Sequence, residues 1–217
     1  MNNIEKTYNY LVNSFDECAY FNQEGNESQR EYRLKHSFRV ANIAKEIATK
    51  EGLNVEAFVI GGLLHDIGYC HEFKDGDDYK NHGRYGAKVA KDFIMSLDID
   101  EQFKQEILYG IAAHVDGKSD VEGVETVLSE TISDCDNIDR FDCYRLHENL
   151  EYAKFTSKPF DEQLEYVTAR IKRLKELKEM KFATETGTMM WISNLDYQIE
   201  FCVKLLNQLN SSEIVFE

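Results

Sequence analysis

Apolar positions along this chain recur at intervals of three and four rather than in alternation, the period of helices that bury one face. In "QREYRLKHSFRVANIAKEIATKEG", Phe38, Ala41, Ala44, Ile47 and Ala48 mark one such face and Gly52 supplies the stop. The same period predicts a first helix over residues 3–21, followed by the loop "NQEGNES". A third helix runs from about Val55 to His65, after which the polar loop "GYCHEFKDGDDYKN" delivers His82 to the head of a helix over "HGRYGAKVAKDFIMSL". Another spans about Glu101 to His114 and ends at a break in "GIAAHVDGKSD". Helical period returns in "VEGVETVLSETISDCDNIDRFDCYRL", and two long amphipathic helices follow at roughly 160–181 and 186–210, separated by "ATETGT". With Pro159 as the one proline, and few alternating β-branched runs, the expected class is all-α. The expected organisation is one helical domain over 1–217, with a core at about 30–150 and two additional closing helices at about 160–210.

One segment breaks the rule that buried faces are apolar. "LLHDIGYCHEF" at 63–73 follows the apolar "AFVIGG" directly, so His65 and Asp66 come straight off a run that reads as core. Burying either group unpaired costs several kcal/mol, roughly, so something must compensate it.

Charge and composition narrow what that is. Forty acidic against twenty-five basic residues give a net charge of -15, which disfavours a long nucleic acid or an anionic membrane surface as partner. The same field suits divalent cations, which could in turn mediate contact with a small phosphorylated ligand. Five cysteines, with no C-x-x-C pair, argue against a disulfide framework or a structural zinc site. No apolar run approaches the roughly 20 residues of a membrane span, and "MNNIEKTYNY" lacks a signal-peptide core, so the expected location is cytoplasmic.

His36, the His65-Asp66 dyad, His82, His114 and Asp136 fall at helix ends or on apolar helical faces, about one ligand per helix. Imidazoles and carboxylates without thiolates suit Mn, Fe, Co, Ni or Zn, with Mg also admissible, and leave positions open for water and substrate. Adjacent helical residues project about 100° apart, so His65 can hold one ion while the two oxygens of Asp66 reach a second.

At these residues the chain resembles the HD-domain superfamily of metal-dependent phosphohydrolases. The signature of H, then HD, then D matches His36, "LLHDIG" and "SDCDNID", over about residues 30–150. The resemblance makes Asp136, the second acid of a D-x-D stretch, the final ligand and leaves Asp134 to fix a ligand imidazole, with a solvated helix face as its alternative. "NHGRYGA" and "IAAH" are similar to the second-site segments of two-metal members, which puts His82 and His114, with bridging Asp66, on a second ion. The C-terminal helices are similar to the closing helices of some bacterial members.

The implied reaction is hydrolysis of a phosphoester or phosphoanhydride of a nucleotide or small phosphorylated metabolite, with a metal-bound hydroxide as nucleophile oriented by Asp66. Arg39 and Arg84 are the favoured phosphate contacts, ahead of Lys80 and Arg140. His71 reads as an exposed loop residue or a leaving-group acid, and His147 matches nothing in the pattern. Two other uses of the pocket stay open: a di-iron oxygenase with the same ligand order, and a non-catalytic nucleotide-binding module. The terminal helices are also a candidate homodimer face.

Overall fold

The computed structural model describes residues 1–71, 73, 74 and 78–212, so Glu72, Asp75, Gly76 and Asp77 of the predicted loop lie outside the described residues. Helices and 3-10 turns make up its regular structure, with no strand among the described residues, and the fold is all-α. It divides into two compact units, one comprising Met1–Asp139 with Phe182–Gly187 and the other Arg140–Lys181 with the segment from Thr188 onward.

In the first unit, helix α1 (Asn3–Glu17) opens on a capping box in which the Asn2 side chain accepts the Glu5 amide and the Glu5 carboxylate accepts that of Asn2. It stops short of the predicted residue 21. Cys18 turns extended, and the amide groups of Asn22 and Asn26 donate to the carbonyls of Asp16 and Tyr20, local bonds that compete with helix propagation. Helix α2 (Glu27–Glu51) ends as expected on Gly52, whose φ of 67° is the left-handed conformation of a helix stop.

Helix α3 (Val55–Leu64) is the centre of this unit. The Asn54 side chain caps it by accepting the Ala57 amide at 2.9 Å, and every residue from Ala57 to Leu64 is buried. A helix apolar all round must be covered on all sides, and α1, α2 and α5 pack on it. A 3-10 turn (Ile67–Cys70) leads away from its end, and a second (Asp78–Asn81) leads into α4 (His82–Ser96). Helices α5 (Glu101–Ala113) and α6 (Val127–Arg140) complete the unit.

Two glycines let backbones approach closely where the histidines are carried. A methyl group on Gly62 would lie 2.9 Å from Ala41 Cα and 3.1 Å from its nitrogen, so α3 rests on the backbone of α2. One on Gly68 would overlap the His82 carbonyl oxygen and lie 2.7 Å from the Gly86 nitrogen. The turn after Asp66 is thereby pressed onto the first turn of α4.

The second unit holds α7 (Cys143–Tyr152), which the sequence pattern ran together with α6, then α8 (Phe160–Leu177) and most of α9 (Glu185–Asn210). The separation comes from Asp142, which is extended and whose carboxylate caps the Cys143 amide. Trp191 anchors this unit: it is 1 % exposed, its indole donates to Leu177 O at 3.0 Å, and Phe141 meets it edge-on at 4.8 Å between ring centroids.

The glycine contacts make a paired prediction. Gly62→Ala drives a methyl into α2 backbone and should cost about 1–3 kcal/mol, lowering the thermal midpoint by roughly 3–10 °C. Gly61→Ala meets side chain rather than backbone, Ile132 at 2.7 Å from Cδ1 and 2.9 Å from Cγ1. Its clash is offset in part by the roughly 1 kcal/mol gain in helix propensity. Equal melting temperatures for the two variants would contradict the close α2–α3 approach.

Candidate metal centre

The histidines arrive from different helices at different points along them. His36 lies in the interior of α2, His65 and His114 sit at the C-terminal caps of α3 and α5, and His82 opens α4. Asp66 follows His65 directly, and Asp136 projects from the second half of α6. The four imidazoles and Asp66 are buried, with His65 fully so.

They form two groups that share one carboxylate. His36 and His65 bring their Nε2 atoms within 3.2 Å of each other, and His82 and His114 do so at 3.1 Å. Asp66 Oδ2 lies 3.6 Å from His36 Nε2 and 3.7 Å from His65 Nε2. Its Oδ1 lies 3.3 Å from His82 Nε2 and 3.6 Å from His114 Nε2. Asp136 Oδ1 joins the first group, 3.1 Å from His36 Nε2. The sets His36-His65-Asp66 and Asp66-His82-His114 are each tight enough to hold a metal ion.

The protonation pattern fits such an ion. Each Nδ1 faces a group that only accepts: Gly62 O for His65, Tyr79 O for His82, Ile111 O for His114 and the Asp139 carboxylate for His36. The Nδ1 atoms therefore donate, and the Nε2 atoms point inward, where opposed lone pairs repel unless a cation lies between them. When no ion is bound, protons fill part of that role. Burial pushes His36 down, but hydrogen bonds to Asp136 and Asp139 and the charge of Asp66 outweigh it and raise its pKa to about 9. Burial dominates at His65 and lowers it to about 4. Burial would raise both carboxyls, yet His65 and Arg33 hold Asp66 well below its usual range, and His36 and His65 hold Asp136 at about 2. Nitrogen and charged oxygen donors without sulfur suit a divalent transition metal. The centre as drawn by its residues can bind divalent metal.

Around it, two residues that the sequence pattern did not single out take the closest positions. Arg33 donates to Asp66 Oδ2 at 2.9 Å, and its guanidinium lies 3.6 Å from the centroid of the Tyr69 ring. Asp139 accepts from His36 Nδ1 at 2.7 Å and from Arg39 at 2.6 and 3.1 Å. Both were reachable from helical spacing, since Arg33 is three residues before His36 and Asp139 three after Asp136, which puts each on its partner's face.

The arginines expected to contact phosphate each have protein partners. Arg39 is committed to Asp139, and Arg84 bonds Asn81, Asp116 and the Lys118 carbonyl, tying the start of α4 to the turn after α5. Asp134 does not meet an imidazole. Helical residues two positions apart in sequence point about 200° apart, so Asp134 faces away from Asp136 and accepts the Ala183 amide at 2.8 Å; burial raises its pKa to about 7. His71 is half-buried and stacks on Tyr85 at 3.8 Å, while His147 is exposed beside Glu151.

Among the described residues, no helix is long and apolar enough to cross a membrane. Curated relatives include Ribonuclease Y of Fusobacterium nucleatum, 30% identical over 147 residues, which are 68% of this chain and 23% of that protein. Ribonuclease Y of Lawsonia intracellularis is 32% identical over 104 residues, 47% of this chain and 17% of that protein. The chain thus spans less than a quarter of the length of these relatives. Among solved structures, a predicted HD superfamily hydrolase from an uncultured Thermotogales bacterium matches 92% of this chain and 91% of its own, with a TM-score of 0.62 and 22% identity, a likeness of fold. The family model described as HD domain matches residues 33–141, the half of the chain that carries all six histidine and aspartate positions of the centre, and the chain belongs to the HD domain family.

Proposed function

We propose that this protein is a metal-dependent phosphohydrolase that cleaves a phosphoester or phosphoanhydride of a nucleotide or small phosphorylated metabolite. The observation that carries the reading is Asp66, whose two oxygens face two separate histidine pairs. His36, His65, Asp136 and Asp66 Oδ2 would hold one divalent ion, and His82, His114 and Asp66 Oδ1 the other. Such ions, when bound, polarise phosphoryl oxygens and bring the pKa of water toward neutrality.

The chain's own groups then have distinct tasks. Asp66 sets the separation of the two ion positions because its carboxylate is short and buried. Arg33 touches the centre directly, and its planar fork can take a phosphoryl oxygen while the Tyr69 ring, 3.6 Å away, supports the guanidinium. Arg39 and Arg84 act through the residues they brace. A net charge of -15 favours a small substrate over a polyanion. The likeness to Ribonuclease Y favours a second reading, the phosphodiester of a short RNA segment, with the same ions and the same Arg33 contact.

Phosphate or pyrophosphate release from mononucleotides and small phosphomonoesters, set beside strand cleavage of short oligoribonucleotides, with Mn, Fe, Co, Ni, Zn or Mg supplied in turn, separates these readings. Turnover on the small substrates is the expected result; cleavage confined to oligoribonucleotides would transfer the assignment to the second reading. An iron-dependent colour with oxygen consumption and no phosphate release would instead mark an oxygenase.

Asp66→Ala should lose both ions by elemental analysis and reduce hydrolysis by more than the roughly 100-fold that marks loss of an outer-shell partner. His114→Ala should lose mainly one ion. A wild-type metal content in Asp66→Ala would end the proposal. Arg33→Met should keep both ions and lower kcat/KM about 10- to 100-fold, the loss of one charge-assisted hydrogen bond of about 1.5–3 kcal/mol.

A further inference from the structure

The four histidines of the centre are oriented in two different ways. His65, His82 and His114 each turn Nδ1 onto the carbonyl three residues back, at 2.9, 2.7 and 2.8 Å. They can do so because they stand at helix ends, where carbonyls are left over from the helical ladder or from a 3-10 turn. His36 has no such neighbour. It lies well inside α2, whose carbonyls are taken by helical hydrogen bonds, so its ring needs an acceptor from another part of the chain.

That acceptor is Asp139, and it is built for the purpose. Its carboxylate is 2 % exposed as a residue, sits 2.7 Å from His36 Nδ1 and receives two bonds from Arg39. The pairing is reciprocal along two helices: His36 and Arg39 are one turn apart on α2, and Asp136 and Asp139 one turn apart on α6. Asp136 reaches the inward nitrogen of His36 at 3.1 Å while Asp139 holds the outward one. All four residues belong to the first compact unit.

We infer that Asp139, clamped by Arg39, is the positioning residue of this centre: it orients His36 and, through its charge, makes that imidazole a stronger donor than the three that lean on neutral carbonyls. The ion position of His36, His65 and Asp136 is then the tighter of the two, and its affinity depends on a residue that touches no ion. This assignment rests on the metal-centre reading for its affinity consequence and on geometry alone for the ring orientation.

Three variants separate orientation from charge. Asp139→Asn keeps an acceptor oxygen but removes the charge, Asp139→Ala removes both, and Arg39→Met loosens the clamp while leaving the carboxylate. Calorimetric titration with Mn or Zn should show one of two binding steps weakened roughly 10-fold in Asp139→Asn and up to roughly 100-fold in Asp139→Ala, the scale known for outer-shell partners of ligating histidines. The other step should be unchanged, and Arg39→Met should fall between wild type and Asp139→Asn.

A second readout needs no metal. In metal-free protein, the exchange-protected Nδ1–H resonance of His36, assigned by its loss in His36→Gln, should persist in Asp139→Asn and vanish in Asp139→Ala, with circular dichroism confirming that each variant is folded. Persistence of that resonance in folded Asp139→Ala would overturn the positioning role whether or not metal binds. Wild-type affinity for both ions in Asp139→Ala would overturn the charge effect. A wild-type protein that binds no ion but shows the expected resonance pattern would uphold the orientation and reject the metal reading.

Discussion

One buried carboxylate organises this molecule. Asp66 carries a charge into a place where water cannot solvate it, and an unpaired charge there would cost far more than any single packing contact returns. The chain offsets that cost by surrounding both oxygens with imidazole nitrogens and placing Arg33 against one of them. Everything else about the first unit can be seen as the means of bringing those partners in: helices that end at the centre, and glycines that let the helices come close enough.

The arrangement sets a tension between stability and chemistry. Four imidazoles and two carboxylates crowded together are a poor core, because the inward nitrogens repel one another unless a cation lies between them. The apolar α3, with Ile60 and Leu64 fully buried, supplies compensating burial directly before His65 and Asp66. Each fully buried aliphatic side chain there contributes roughly 1.5–3 kcal/mol, comparable with the cost of one imperfectly satisfied polar group. Local unfolding at the centre is therefore opposed by the same helix that carries His65.

How much of this was legible in the sequence depends on the range of the interaction. Helix periodicity and caps are local, so α2 to α5 are readable to within a few residues from Gly52, Asn54 and the apolar faces. The end of α1 was not, because Asn22 and Asn26 side chains compete with its last turn. The six candidate ligand positions stand out in the sequence through ionisable groups at helix ends or on apolar faces and through the resemblance of "LLHDIG", "NHGRYGA", "IAAH" and "SDCDNID" to the family's segments. Asp134 and Asp139 show the limit: both are acids near Asp136, and only their angle around α6 separates the one that takes a backbone amide of Ala183 from the one that takes His36.

The cationic groups divide in the same way. Arg39 and Arg84 stand close to ligands in sequence and were natural choices for phosphate, yet Arg39 is held by Asp139 and Arg84 by Asp116. Arg33, three residues before His36, is the one that donates to Asp66 among the described residues. By itself the sequence determined the class of fold, which follows from helical period, and its resemblance to the family's histidine and aspartate segments nominated the six candidate ligands, whose side-chain chemistry gives the kind of atom each offers. Only the tertiary structure decided which pairs of histidines share an oxygen of Asp66, which acid steadies His36 and which arginine faces the centre. Those choices depend on the directions of side chains from helices far apart in the chain, and direction, unlike composition or period, is settled only when the helices pack.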